Sequence, residues 1–374
     1  MSIADARPGN TPSGAPDDAA LLGAVLLQQP RRLVEVLSPL LTEWFDAGAR
    51  LMDSHVAIRR YVPGKRCLVE LELVLAPGGA DAVEKRMVMA KVYAGDEGTR
   101  AYDSLQRLWA SGFSTGPLTV PRPIAYDPDR RILLTSWTRG VVLRQLLLAL
   151  KDRTDTLAHP AGASNVSTTV ERSAEWLVKL HTSGVTGRRW YTFDRHLHTL
   201  ALWQGRLLDV YPEATSPLAA VLARIEARGR ALSGWEAAPT HRDFSPDNIV
   251  LDGTQLSAVD FDEFCQYDPL FDVAHFVAHL RLLGLTSPGM LRRFDELAIR
   301  FRMAYEAQAK EYSAARVRLY EAITYLKLAH IIACITSPPG WQPLVATLLH
   351  EAQKTVREEP PCLPMWSHVT GPRR

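Results

Sequence analysis

The sequence predicts an α+β fold of two lobes, an antiparallel β-sheet lobe at the N-terminal end and a mainly helical lobe at the C-terminal end, built around one cleft. Three observations predict it. Residues 56–93 alternate apolar with polar side chains between short turns, the period-two pattern of strands. Beyond residue 141 the apolar residues recur at helical spacing instead. Among those helical segments, "HRDFSPDNIVLDG" (241–253) crowds a histidine, an arginine, aspartates and an asparagine ahead of an apolar run, more polarity than a plain connection needs. With 374 residues, 47% of them apolar, the chain is long enough for two lobes with real cores.

Charge and cysteine usage narrow the function classes. Lysine and arginine total 43 against 41 acids, a net charge of +2, so no nucleic-acid partner is expected. The cysteines, Cys67, Cys265, Cys334 and Cys362, are scattered without a CxxC pair, which fits a reducing, cytoplasmic setting. No apolar run is read as a membrane span and no membrane partner is expected. Residues 1–20 hold acids and prolines without a basic-then-apolar order, and read as a disordered leader rather than a secretory signal. No pattern speaks for an oligomeric state.

Taken in order, residues 21–52 are leucine-rich and read as helical, interrupted at Pro30 and Pro39. "VAIRRYV" (56–62), "CLVELELVL" (67–75) and "RMVMAKVY" (86–93) read as a meander, with Val69, Leu71 and Leu73 alternating against Glu70 and Glu72. "PGKR" (63–66) and "PGGAD" (77–81) are its turns. Residues 99–112 read as a helix stopped by Gly112, with Tyr102, Leu105, Leu108 and Trp109 on one face. Residues 120–137 read as strand, Asp-Pro-Asp turn and strand. "VLRQLLLAL" is a short helix and 151–167 a surface loop. Thr168 and Glu171 have the spacing of a capping box for the next helix. Further helices are expected at 216–233, 270–284, 289–310 and 314–336, with short strands at "NIVL" and "SAVDF". The boundaries are a leader over 1–20, an N-terminal lobe over 21–137 and a helical lobe over 138–374.

Asp243, Asn248 and Asp260 follow at spacings of five and twelve. A carboxylate and a carboxamide on a loop, facing a second carboxylate across a short hairpin, make a hard oxygen site of the kind Mg²⁺ takes together with phosphate oxygens. A carboxylate left without metal can accept a proton from a hydroxyl. Phosphoryl transfer needs both parts.

These residues resemble the catalytic machinery of the protein-kinase superfamily. "HRDFSPDN" is similar to its His-Arg-Asp loop with Asn five residues on, and "VDFDEF" stands where the superfamily carries Asp-Phe-Gly, with Asp262 in place of the glycine. No long activation segment follows. Instead "QYDPLFDVAHF" (266–276) resembles the Asp-Pro-x-x-Asp-x-Ala stretch of the aminoglycoside phosphotransferase family, matched by Asp268, Pro269, Asp272 and Ala274. "RRYVPGKR", "MAKVY", "LLTSWTRG" and "AEWLVKLHTSG" agree, so the likeness covers roughly 56–280.

The resemblance implies a two-lobed protein-kinase-like fold, ATP (or GTP) with Mg²⁺ as cofactors, and a small-molecule hydroxyl as acceptor, an aminoglycoside-type antibiotic or a related metabolite. A sugar, nucleoside or amino-alcohol kinase and a non-catalytic nucleotide-binding relative are the alternatives. Asp243 would be the base, Asn248 and Asp260 the metal ligands, and Lys91 the grip on the nucleotide phosphates, with Met89 near the adenine. Ser136, Trp137 and Thr138 form the connector whose backbone would hold the adenine edge. His241 is expected to support the loop, Ser245 stands where protein kinases carry a lysine, and Asp272 is expected to be structural. Glu97 or Asp103 is expected to pair with Lys91, and Arg242 with Asp262 or Glu263. His275 and His279, four apart, read as packing histidines. Gly64, Lys65 and Arg66 read either as a plain turn or as a cover over the phosphates. The acceptor is expected between the catalytic loop and helices over 285–350. Five acids within 260–272 raise the expectation of a cationic acceptor.

Overall fold

The structure, a computed structural model, describes residues 18–357 apart from 25, 27, 28, 43, 46–48, 77–82, 153–165 and 233. The expected turn at 77–81, most of the loop at 151–167 and the leader up to residue 17 lie outside the described residues.

Helix α1 (Pro30–Leu40) leads into strands β1 (Arg50–Val62), β2 (Arg66–Ala76) and β3 (Glu84–Tyr93). Next come α2 (Glu97–Leu108), β4 (Leu118–Thr119), β5 (Pro123–Asp127), β6 (Ile132–Ser136) and β7 (Val141–Val142). Helices α3 (Leu143–Leu148), α4 (Val166–His181), α5 (Phe193–Val210) and α6 (Thr215–Ala231) follow. The chain continues through β8 (Ala238–Thr240), β9 (Ile249–Asp252), β10 (Gln255–Ala258) and β11 (Cys265–Tyr267). It closes with α7 (Leu270–Leu285), α8 (Leu291–Glu306), α9 (Ala314–Ile331) and α10 (Gln342–Arg357).

These elements fall into two compact units. One takes the described residues of Met1–Thr192 and Trp235–Glu311, the other those of Phe193–Gly234 and Tyr312–Arg374. The first unit holds a five-stranded antiparallel sheet in the order β1-β2-β3-β6-β5. Its meander buries Cys67, Val69, Leu71, Leu73 and Leu75 from β2 against Leu33, Leu37 and Leu41 of the α1 region. Glu70 and Glu72 keep the other face, as strand periodicity requires. A second small sheet, β4-β10-β9-β7, carries the polar 241–260 segment, and β8 pairs with β11 beside it. Helix α7 is mostly apolar and mostly buried, which makes it the core helix of this unit. The second unit packs α5, α6, α9 and α10, with Ile225, Tyr320, Tyr325, Val345 and Leu348 buried.

Several expectations are corrected. Residues 21–52 are not one helical stretch. Pro30 opens α1 rather than breaking it, since a proline at the first helical position sacrifices no hydrogen bond, and the chain is already a strand at Arg50. Asp18, read as leader, is engaged: its Oδ2 accepts from the Gly64 N–H at 2.7 Å and from Tyr61 Oη at 2.9 Å. Helix α4 begins at Val166, so Thr168 lies inside its first turn and caps nothing, and Glu171 pairs with Arg300 at 3.2 Å. Helices α5 and α10 were not expected. Residues Ala314–Thr336 are long and apolar enough to span a bilayer by length and composition, but 72% of that window is buried inside the protein, as in a core helix.

Candidate active site

Residues 241–248 form a tight loop whose backbone is held by buried side chains. Arg242 has a left-handed φ of 68°, which costs a non-glycine residue about 1–2 kcal/mol. Asp272, fully buried at the start of α7, overcomes that cost. Its Oδ2 accepts from the His241 N–H at 2.7 Å and its Oδ1 from the Arg242 N–H at 2.8 Å. His241 is buried too, its Nε2 3.0 Å from the Val259 carbonyl and its ring against Phe244 and Phe261. Ser245 is buried and extended. It precedes the short turn Pro246–Asn248, and its carbonyl accepts from the Asn248 N–H.

This scaffold sets Asp243 between two side chains. Asn248 Nδ2 donates to the Asp243 backbone carbonyl at 2.9 Å and lies 3.3 Å from its Oδ2. His275 Nε2 approaches Oδ1 at 3.2 Å, from a fully buried ring on α7. His275 therefore packs, as expected, but also faces the carboxylate, and only its fold neighbours could have revealed that. Asn248 is 0% exposed, and its Oδ1 has no hydrogen-bond partner. A buried carbonyl oxygen with both lone pairs unused is costly unless a ligand takes it. The Val259 N–H donates to the Asn248 carbonyl, which brings the Asn248 turn next to Asp260.

Asp260 also has a left-handed φ of 68°. Its Oδ1 accepts from Lys91 Nζ at 2.8 Å. Lys91 Nζ also donates to Asp262 Oδ1 at 2.9 Å, and Asp262 in turn takes a hydrogen bond from Tyr93 Oη at 2.7 Å and an ion pair from Arg66. Burial alone raises the Asp260 carboxyl, but the charges of Lys91 and Arg66 outweigh it and hold the group well below the usual carboxylate range. Burial likewise depresses Lys91, and Asp260 and Asp262 overcome it to leave the ammonium above its ordinary value.

The acid beside Lys91 is thus neither Glu97 nor Asp103. Asp103 pairs with Arg188 at 2.6 Å, and Glu97 Oε2 makes no hydrogen bond. Arg242 does not pair with Asp262 or Glu263 either. Its guanidinium lies 3.6 Å from the Tyr191 ring and 4.5 Å from that of Phe271, while Glu263 binds Arg189 at 2.7 Å. Of the five acids in 260–272, Asp260, Asp262 and Glu263 pair with cations, while Asp268 and Asp272 accept from backbone N–H groups and are fully buried, so each is engaged within the fold.

A cleft lies beside this cluster. Met89, Lys91, Ser136, Trp137, Thr138 and Asp260 line it together with apolar Leu68, Leu133, Val142 and Val250. Asp243 and Asn248 are not part of that wall. The arrangement offers an apolar slot with Lys91 at its polar end and Arg66 bonded to the lining Asp262, an unpartnered carboxamide oxygen, and a carboxylate next to it. Asn248 Oδ1 and the carboxylate of Asp260 are the hard oxygen donors that suit Mg²⁺.

The model of the phosphotransferase enzyme family (APH) matches residues 87–320. No curated protein sequence matches the chain. Among solved structures, amicoumacin kinase hAmiN in complex with AMP-PNP, Ca²⁺ and Ami is similar, with a TM-score of 0.55 and 11% identity over 80% of this chain and 88% of that one. So is the aminoglycoside phosphotransferase APH(4)-Ia in its ternary complex with ADP and hygromycin B, with a TM-score of 0.53 and 14% identity over 86% and 98%. LicA in complex with AMP gives 0.53 and 13% over 87% and 98%. At these identities the likeness speaks for the fold, which is that of the kinase-like phosphotransferases.

Proposed function

From a chain that belongs to the phosphotransferase enzyme family, we propose an enzyme that moves the γ-phosphoryl group of ATP to a hydroxyl of a small molecule, an aminoglycoside-type antibiotic or a related metabolite. The observation that carries this reading is the convergence, beside one cleft, of Asp243, the unpartnered Asn248 Oδ1 and the Lys91–Asp260 pair.

Asp243 accepts the proton of the acceptor hydroxyl. The hydroxyl oxygen bonds to the γ-phosphorus, the bond to the β,γ-bridging oxygen breaks, and ADP leaves. Asn248 and His275 orient the carboxylate from its two sides, so one oxygen lobe keeps facing the acceptor. Lys91 steadies the phosphates, and backbone groups of Ser136–Thr138 meet the adenine edge, with Met89 on the ring face. Asn248 and Asp260 would hold Mg²⁺, which when bound offsets charge on the phosphates. Lys91 pairs with Asp260 and Asp262 and with no acid of α2, so a non-catalytic nucleotide-binding relative stays the second reading.

The test is an ADP-release screen with MgATP across aminoglycosides, sugars, nucleosides and amino alcohols. Acceptor-dependent release with product mass raised by one phosphoryl group is the expected outcome. Nucleotide binding without turnover on any acceptor class would favour the non-catalytic reading.

A further inference from the structure

Arg66 opens β2, immediately after the turn at Pro63–Lys65. Alternate residues of a strand share a face, so Arg66 and Leu68 point the same way. The register sets Arg66 opposite Tyr93 and Leu68 opposite Lys91. Leu68, Lys91, Tyr93 and Asp262 line the cleft; Arg66 is not in its wall but reaches the lining carboxylate of Asp262 through Nη1. Lys65, the other cation of the turn, is exposed and makes no such contact.

Three donors converge there on a single carboxylate. Arg66 Nη1 donates to Asp262 Oδ2, while Oδ1 of the same group accepts from Lys91 Nζ at 2.9 Å and from Tyr93 Oη at 2.7 Å. A carboxylate held in this way has the chemistry of a phosphate: a pair of anionic oxygens met by a guanidinium N–H on one side and an ammonium on the other. Two cations, Arg66 and Lys91, meet two acids, Asp260 and Asp262, so the cluster is balanced as it stands. An entering polyphosphate unbalances it and draws the cations. Asp18 binds the Gly64 N–H of the turn, and exchanging Asp262 for a phosphate asks only the Arg66 side chain to move.

We propose that Arg66 is a second phosphate-binding residue of this cleft, and that Asp262 is the counter-ion holding it until a nucleotide polyphosphate takes over the contact. The inference rests on the nucleotide reading above and adds a ligand to it. A plain structural strut between β2 and the 260–262 segment is the competing account, and it predicts no dependence on phosphate.

The experiment measures binding of MgATP, of ATP in EDTA, and of adenosine, through the fluorescence of cleft-lining Trp137 and by calorimetry. Arg66→Ala should weaken MgATP about tenfold or more, the loss of a charged hydrogen-bonding group, and leave adenosine unchanged. Arg66→Lys should fall between. Asp262→Asn should tighten ATP in EDTA, because the competing carboxylate is gone. An Arg66→Ala protein that binds MgATP like the wild type, or loses ATP and adenosine equally, overturns the proposal. Should that variant fail to fold, Asp262→Asn decides: ATP affinity in EDTA that is unchanged or weaker overturns it. A wild-type chain that binds no MgATP overturns the nucleotide reading itself, and a wild-type chain that binds while Arg66→Ala is indifferent overturns only the role of Arg66.

Discussion

Asp243 and Asp272 show how differently two aspartates of one site are used. Asp243 keeps a carboxylate that is still 14% exposed between Asn248 and His275. Replacing it by asparagine keeps the shape and removes the proton acceptor. Turnover on the acceptor found by the screen should fall by ~10²–10⁴-fold, with MgATP affinity little changed. Near-native turnover would take the base away from this position. Asp272 instead spends both oxygens on the backbone N–H groups of His241 and Arg242, and His181 Nε2 lies 3.3 Å away. A carboxamide offers one acceptor and turns a donor toward the other N–H. Asp272→Asn should therefore destabilise by about 2–4 kcal/mol, seen as a lower urea midpoint at unchanged slope. An unshifted midpoint would mean that the loop holds its left-handed Arg242 without help.

At the scale of elements, the connector after β6 is fixed by a close approach. Gly140 has φ 124°, and a Cβ there would lie 2.0 Å from the Leu251 carbonyl oxygen in β9. That contact brings the end of the connector onto the small sheet that carries the catalytic loop. Gly140→Ala meets both a forbidden φ and a backbone clash, so it should cost more than about 2 kcal/mol. Thermal melting checks the cost, and an unaltered melting temperature would show that the connector can be re-routed. The same element scale explains why α5 was missed in the sequence. Helix α5 buries only His196, Leu200 and Leu207, so its apolar stripe is thin and broken by a histidine, and its period does not stand out.

Across the whole molecule, buried thiols give stability an alkaline limb. Burial pushes Cys67 up to about 11 and Cys265 up to about 12, above an ordinary thiol at 9.0. Both folded values are raised, so their contribution is complete below pH 9 and is lost as pH climbs toward 11–12. In that interval the unfolded chain releases protons that the folded chain retains. The slope is about 1.4 kcal/mol per pH unit for each thiol. Urea unfolding at pH 7, 9 and 10.5 should show stability falling above pH 9, and Cys67→Ala should remove one proton's share of that slope. Equal slopes in the two proteins would mean that the Cys67 thiol ionises in the folded state.

The sequence by itself determined what local periodicity and spacing encode: the β2–β3 alternation, the core helices α7 and α9, and the close grouping of Asp243, Asn248 and Asp260 on one loop and hairpin. Those features depend on neighbours within a few residues, so the order of residues contains them. The tertiary structure decided who meets whom across the chain. Lys91 finds Asp260 and Asp262 at separations of 169 and 171 residues, in place of the helix acids that lie nearest in sequence. Arg242 settles over aromatic rings because Arg66, Lys91 and Arg189 already hold the acids expected to receive it. His275 meets Asp243 because α7, a mostly apolar helix, lies buried in its unit, and a buried ring on that helix can only face what packs against it. Pairing among buried charges is a competition settled by distance and desolvation in the folded state, and neither quantity exists before the chain has folded.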